Sequence, residues 1–488
     1  MYDIIVIGGG IAGLYTTYKI HKKSPQTKVL LIEKENRLGG RIHTFINKHM
    51  TVEAGAGRIS GSQPLIMDLI GELGLTKKLV KNSGSVVYRP ADFQGNIESS
   101  VSDAPHSPPI AHMGLSKENL GLSFRKPPHL AKLKALQNLH KQQPILDNII
   151  DITLGPKTLP NAGLILTLVA VSKTYSKQYL QNHTLTQFAE RVLTKEQVEF
   201  IKGSFGYYSE LVIMNAYDSI KLLNALGPNN TFYSMKGGLE QIVDKMVDVI
   251  KKNSNIHILL SKGVSKIVYR EPGSPLSHFF DVYIDKKIYQ SQQCICALPK
   301  QALLKLAIFK PIRPLLNKVE CGTLCRIYSQ FDPDPTTGKV WFHDVEKFTT
   351  NNDLRMVIPY NTKTGVIMIS YSDNIFADRW LKLYENKGIR AVNTKLREDM
   401  LESVGKWIPL PKHTEVFYWD CGVGYWAVGS DSHKVAEKMI QPFKDVPLYV
   451  CGENYAENGQ QWIEGALETA DKVSGNLRFP KGAFGAPG

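Results

Sequence analysis

Asp3-Ile4-Ile5-Val6-Ile7-Gly8-Gly9-Gly10-Ile11-Ala12-Gly13 is the stretch on which the fold turns. An apolar run of buried-strand character ends in three glycines, and the helix-like segment Leu14 to His21 follows. Lys28-Val29-Leu30-Leu31-Ile32-Glu33 then reads as a second buried strand, so the chain opens with one β-α-β unit. Gly8, Gly10 and Gly13 have the G-x-G-x-x-G spacing. The first glycine allows a tight turn, the second lets backbone approach a pyrophosphate, and the third lets helix and strand pack closely. Ile11 and Ala12 open the helix, whose N–H groups and partial positive charge suit a diphosphate. Glu33, 20 residues after Gly13, stands where an acid accepts hydrogen bonds from a ribose hydroxyl.

Working outward, strand-like runs recur at His257–Leu260, Asp281–Ile284, Gln293–Leu298 and Leu448–Cys451, and a helix is expected from about Glu464 to Leu477. A Pro/Ser-rich stretch, Val101 to Leu115, leads into a region of helical apolar spacing that runs to about Leu226. Residues 311–430 mix short alternating runs with turns, among them Val340-Trp341-Phe342 and Gly365–Ile369, and predict an antiparallel sheet. The expected architecture is therefore α/β. A discontinuous Rossmann-like dinucleotide domain takes 1–60, 230–310 and 440–480, an α+β substrate domain takes 61–100 and 311–439, and 101–229 is an inserted helical subdomain.

The 59 Lys+Arg against 45 Asp+Glu give a net charge of +14, a field that attracts anions and repels polycations. Carboxylate-bearing small molecules are favoured over polyamines. The basic residues are dispersed without a basic repeat or interleaved aromatic motif, so no nucleic-acid partner is expected. No signal-peptide pattern precedes the first strand, and the longest apolar run, Gly163 to Val171, is too short to span a bilayer. An intracellular, soluble protein without a membrane partner is expected; its oligomeric state is not legible. The six cysteines (294, 296, 321, 325, 421, 451) match no zinc or C-x-x-C spacing, so no metal is expected and buried thiols in a reducing compartment are.

Glu33-Lys34-Glu35-Asn36-Arg37-Leu38-Gly39-Gly40-Arg41 resembles the E-x-x-x-R-x-G-G-R signature of glutathione-reductase-type flavoproteins, and specifically the flavin-containing amine oxidase family. That resemblance implies FAD as cofactor. Gly40 lets backbone come close to it, Lys34 lies in the same segment, and Arg37 and Arg41 can neutralise phosphate charge. Leu448 to Asn454, then Gln460 to Ala470, looks like the family's C-terminal FAD motif. In the resembling enzymes an acid at Glu453, after Gly452, contacts the ribityl chain, and the helix beginning at Ile463 points its positive end at the flavin. Val264 falls where the family makes a backbone contact to adenine. The family's linking cysteine aligns with Tyr425, which implies FAD held non-covalently.

The same resemblance implies transfer of a hydride from an amine's α-carbon to the flavin, hydrolysis of the imine, and reoxidation by O2 with formation of hydrogen peroxide. Gly55-Ala56-Gly57-Arg58 is similar to a flavin-contacting G-x-x-R loop of L-amino-acid oxidases, in which the arginine holds the substrate carboxylate. Trp462 and Trp426 match the two walls of an aromatic substrate cage. Gln461 offers a backbone carbonyl to the substrate ammonium, and Tyr360 resembles a carboxylate-binding tyrosine. Arg326 stands where relatives carry a lysine that holds a water near the flavin; it can hold that water but cannot deprotonate. The leading expectation is an L-amino-acid oxidase acting on a small-molecule amino acid and O2. A monoamine or polyamine oxidase, a desaturase or porphyrinogen oxidase, and a non-catalytic FAD-binding scaffold remain as alternatives.

Overall fold

In the computed structural model β1 (Tyr2–Ile7) lies at the middle of a seven-stranded sheet, as a strand apolar on both faces must. It pairs in parallel with β2 (Val29–Ile32) on one side and with Lys287–Cys296 on the other, and α1 (Ile11–Lys23) connects β1 to β2. Strands Ile256–Leu259, Val264–Tyr269, Phe280–Ile284 and Leu448–Val450 complete the sheet. All the later strands expected around it are present. Helices α1, Glu240–Ile250 and Ile463–Asn476 share one apolar core with β1 and β2, through Leu14, Ile242 and Leu467 among others. The structure describes residues 1–82, 86–91, 162–225, 231–271, 279–405 and 407–479. The Pro/Ser-rich stretch and the first part of the expected insertion, to residue 161, lie outside them.

The chain divides into two units, Met1–Asn82 with Asn230–Gly322 and Asp420–Gly488, and Ser83–Asn229 with Thr323–Trp419. The boundaries differ from those expected at 61, 311 and 439. Ile66, Leu69 and Ile70 of the helix Pro64–Glu72 join the first unit's core, and Glu464 accepts the N–H groups of Leu65 and Ile66 at that helix's start. Burial, which the linear sequence does not display, assigns 61–82 to the dinucleotide unit.

A second sheet, most of whose residues belong to the second unit, runs in the order His413–Trp426, Val319–Gln330, Val366–Asp373, Met356–Asn361, Phe348–Thr349, Val87–Tyr88. Residues 162–225 form helices, as expected. Two expectations are corrected. Val340-Trp341-Phe342 is not a strand but a turn whose aromatic rings pack on Phe331. A helix, Asn374–Val404, interrupted at Gly388, backs the sheet through Ala377, Trp380 and Leu396; its amphipathic pattern is broken by that glycine, which hid it.

The cysteine reading is also corrected. Cys321 and Cys421 form a disulfide, their Cα atoms 4.9 Å apart on neighbouring strands although 100 residues separate them in sequence. The inference from unpaired thiols to a reducing compartment therefore falls away. Cys294, Cys296, Cys325 and Cys451 are free and buried. Among the described residues no helix is long and apolar enough to cross a membrane.

Candidate active site and cofactor cradle

The glycines after β1 divide into two kinds. An added Cβ at Gly8, whose φ is +105°, would stand 2.3 Å from the carbonyl oxygen of Ala297, and one at Gly13 would stand 2.0 Å from that of Gly8. The protein itself excludes side chains there. Gly10 has an ordinary φ of −70°, and its added Cβ would meet only the Cα of Gly40, at 3.9 Å. Nothing in the chain demands glycine at position 10, which fits a group laid on the start of α1. No side chain caps that helix, so the N–H groups around Ile11, Ala12 and Gly13 face a space suited to an anion.

Glu33 is buried, and its carboxylate accepts the N–H of Gly9 at 2.6 Å and that of Glu35 at 2.9 Å. It fixes the glycine loop while standing at the ribose position. Ser261 and Lys262 donate their N–H groups to the carbonyls of Glu35 and Glu33, and Gly263, the residue before Val264, comes close to Lys34. These features fit an adenine dinucleotide.

The two signature arginines bond to the chain itself. Arg37 turns back on its own loop, donating to the carbonyls of Leu38, Gly40 and Ile42, and so shapes the turn that carries Gly40. Arg41 donates to the carbonyl of Gly422 at 3.0 Å and pairs with Glu453 at 2.5 Å. The Glu453 carboxylate also accepts N–H groups from Gly424, Asn454 and Gln461, so this acid gathers residues 41, 424 and 461. Gly452 donates to the Thr469 hydroxyl, fixing this turn to the helix that starts at Ile463. The Gly55-Ala56-Gly57 loop joins through the Ala56 N–H, which donates to the Arg41 carbonyl.

Gln461 holds a φ of +73°, a strained conformation for a residue with a side chain, secured by its N–H bond to Glu453. Beside it Trp462 is half-buried and stacks on Phe232, ring centroids 5.9 Å apart and planes 17° from parallel. The Arg58 guanidinium lies over both rings, 4.6 Å from the centre of Phe232 and 5.5 Å from that of Trp462. Arg58, Gln461 and Trp462, separated by 400 residues of sequence, form one wall. Trp426, expected as the opposite wall, is only 1% exposed, and its backbone N–H donates to the side-chain carbonyl of Gln460. An enclosed ring packs rather than presents a face, which corrects that expectation. Phe232 was not foreseen, because before folding nothing separates it from a core aromatic.

Arg326 and Tyr360 belong to the second unit. Arg326 is buried, paired across the sheet with Tyr371, over whose ring its guanidinium lies at 4.6 Å. Burial opposes its charge, but Tyr371 and Tyr328 more than offset this and raise its pKa, so it is a permanent cation. Tyr360 is exposed and meets Tyr328 edge to face. Among the described residues no group of His, Cys, Asp and Glu could hold a metal ion.

A mixed, mainly parallel sheet with a phosphate-suited β-α turn and an aromatic-lined cationic wall is the layout of a dinucleotide-binding oxidoreductase. The chain belongs to the flavin containing amine oxidoreductase family, whose model matches residues 11–477. Its cofactor is accordingly FAD, and it is an oxidoreductase acting on amines. It is 24% identical to an uncharacterized protein of Acanthamoeba polyphaga mimivirus, over 96% of this chain and 92% of that one. It is 22% identical to Aplysianin-A of Aplysia kurodai, over 96% and 89%. A 90-residue stretch, 18% of this chain and 17% of the other, is 40% identical to flavin-containing amine oxidase A of Equus caballus. Among solved structures, a double mutant of putrescine oxidase shares the fold, with a TM-score of 0.66 at 14% identity, covering 97% of this chain and 98% of that one.

Proposed function

We propose that the protein oxidises the amino group of an L-amino acid, giving the oxo acid and ammonia after hydrolysis of the imine, with O2 as acceptor and hydrogen peroxide as product. The observation that carries this reading is Arg58 laid on Phe232 and Trp462. An arginine is the side chain whose planar fork grips a carboxylate with two parallel bonds, and this one lies at an aromatic pair. A diamine or simple amine would bring its own positive charge toward a resident cation, so the wall disfavours it.

When bound, FAD supplies the two-electron acceptor. Gly10, Ile11 and Ala12 would hold its diphosphate, Glu33 its ribose, and Val264 its adenine, while Glu453 and the start of the final helix would lie toward the remainder. The Gln461 carbonyl is proposed to accept a substrate N–H. Arg326 is proposed to hold a water without exchanging its proton, and Tyr360 to assist carboxylate binding. We propose that FAD is not covalently attached. In support, the residue at the expected linking position is Tyr425, buried and packed against Gly322. Acid precipitation should leave all flavin colour in the supernatant; colour on the pellet would overturn this.

The substrate class is decided by anaerobic flavin reduction with leucine, phenylalanine and lysine, each paired with its decarboxylated amine. Arg58→Ala should remove a bidentate, charge-assisted contact worth on the order of 2–5 kcal/mol from kcat/KM for the amino acids. The amines should be little affected, and Arg58→Lys should restore only part. Equal losses for both members of each pair would make Arg58 structural and sink the amino-acid reading.

A further inference from the structure

The helix Pro64–Glu72 starts without a cap of its own. Gln63, at its N-cap position, makes no side-chain bond to the helix start, and Pro64 has no N–H to offer. The two donors that an N-cap side chain would take, those of Leu65 and Ile66, go instead to one carboxylate from the far end of the chain. Glu464 accepts the Leu65 N–H at Oε1, 3.0 Å, and the Ile66 N–H at Oε2, 2.9 Å, across 399 and 398 residues of sequence. Each side of this junction is joined to one part of the cationic wall. The Gln63 N–H donates to the Ser60 carbonyl at 3.2 Å and the Ser60 N–H to the Gln63 side chain at 3.1 Å, so the helix start is locked to the strand Ile59–Ser60, which directly follows Arg58. That strand is itself paired with Phe232–Met235. On the other side the Trp462 N–H donates to the Gly459 carbonyl at 3.1 Å and the Gly465 N–H to that of Trp462 at 3.2 Å. An added Cβ at Gly465 would stand 2.2 Å from the Gly459 carbonyl oxygen, so residues 459–465 form one tight turn that carries Gln461, Trp462 and Glu464 together.

We infer that Glu464 is a positioning residue that sets the spacing between Arg58 and the turn of Gln461 and Trp462, an inference that rests on the proposed amino-acid reading. The two segments also meet directly, with the Arg58 guanidinium 5.5 Å from the centre of the Trp462 ring, so the carboxylate tie and the wall close one ring of contacts. Two charge-assisted bonds to backbone donors hold a distance firmly, because a helical N–H cannot rotate away from its acceptor. With the tie cut, each segment keeps its own turn and strand bonds, and the spacing between them varies. A substrate gripped at both ends, by its carboxylate on one segment and its amine on the other, must then order that spacing on binding. A ligand with only one of the two groups engages one segment and is indifferent to the distance. Glu464 thus acts on the class of substrate that carries both groups on one carbon.

The test uses the FAD-loaded full chain with Glu464→Ala, Glu464→Gln, Arg58→Ala and the Glu464→Ala/Arg58→Ala double variant. Three ligands share each side chain: phenylalanine, 2-phenylethylamine and 3-phenylpropanoate, and leucine, 3-methylbutylamine and 4-methylpentanoate. Anaerobic flavin reduction reads the amino acids and amines, and calorimetry reads the carboxylates, which have no amine to oxidise. Glu464→Ala should raise KM for the amino acids by about two- to ten-fold with kcat nearly unchanged, and leave amine KM and carboxylate Kd near wild type. Glu464→Gln keeps an acceptor oxygen at the same reach and should recover part of the loss; if Glu464→Ala does not fold, it shows the same pattern at smaller amplitude. In the Arg58→Ala background Glu464→Ala should have no further effect on the amino acids. Losses shared by all three ligand classes, an undiminished loss in the Arg58→Ala background, or a lowered Tm with unchanged amino-acid KM would make Glu464 a helix cap alone and overturn the positioning role. If Arg58→Ala itself hits amino acids and amines equally, the amino-acid reading fails instead, so the two failures are separable.

Discussion

Asp399 shows how one buried charge sets the response of the second unit to pH. Burial pushes its pKa up from 3.8 to about 6, and Lys395 at 2.9 Å only partly opposes this, while Oδ2 is buried without a hydrogen-bond partner. A carboxyl whose folded pKa is raised binds its proton more tightly in the native state than in the unfolded chain. Its contribution is therefore present below about pH 4 and is lost as pH rises through about 6, on the order of 2–3 kcal/mol in all. Asp399→Asn should remove this fall. Thermal unfolding of wild type and variant between pH 4 and 7 reads it out: the gap should widen in favour of the variant toward neutral pH. Parallel curves would mean that Asp399 titrates normally. The same raised-by-burial direction at Asp373 and Glu464 is moderated by N–H donors, from Ser209 and Tyr208 in one case and Ile66 and Leu65 in the other, which makes Asp399 the more exposed to this penalty.

At the scale of the β1–α1 element, the glycines separate folding from cofactor binding. Gly13→Ala forces a Cβ against the carbonyl of Gly8 and should destabilise the apoprotein by several kcal/mol, or prevent folding. Gly10→Ala meets only the Gly40 Cα, at ordinary contact distance, at a φ suited to alanine, so apoprotein stability should change by less than about 1 kcal/mol. The methyl group nevertheless intrudes where the diphosphate would lie, so flavin content after dialysis should drop steeply. The paired measurement is apoprotein Tm and bound FAD per chain. Full flavin content in a well-folded Gly10→Ala protein would contradict the cradle at this helix start.

For the whole molecule, the disulfide joins two points 100 residues apart in sequence. Cys321 and Cys421 both lie in the first unit and enclose Thr323–Trp419, the second unit's C-terminal segment, within one closed loop. Closing a loop of that length removes unfolded-state entropy worth roughly 3–5 kcal/mol. Gly422, next to Cys421, accepts from Arg41, and Gly424 donates to Glu453, so the bond also steadies residues of the cofactor cradle. Denatured, unreduced protein should titrate four thiols rather than six. Reduction by a dithiol, or Cys421→Ser, should lower the urea midpoint and accelerate flavin loss. Six thiols, or an unchanged midpoint on reduction, would remove this account.

The β-α-β unit, the places of the later strands and the FAD signature are local facts: an apolar run, glycines at fixed spacing and an acid 20 residues on constrain backbone and chemistry wherever they occur, and the sequence by itself determined them. It also nominated Arg58, Gln461 and Trp462, through motif position. Tertiary structure alone decided which of these meet, because contact between residues 58, 232 and 462 depends on strand register and helix packing over the whole first unit. It moved residues 61–82 into the dinucleotide unit, paired Cys321 with Cys421, enclosed Trp426, turned Arg37 onto its own loop and joined Arg41 to Glu453. The physical reason is common to all of these. Burial and pairing are properties of neighbours in space, and a side chain's role is set by which partners reach it first.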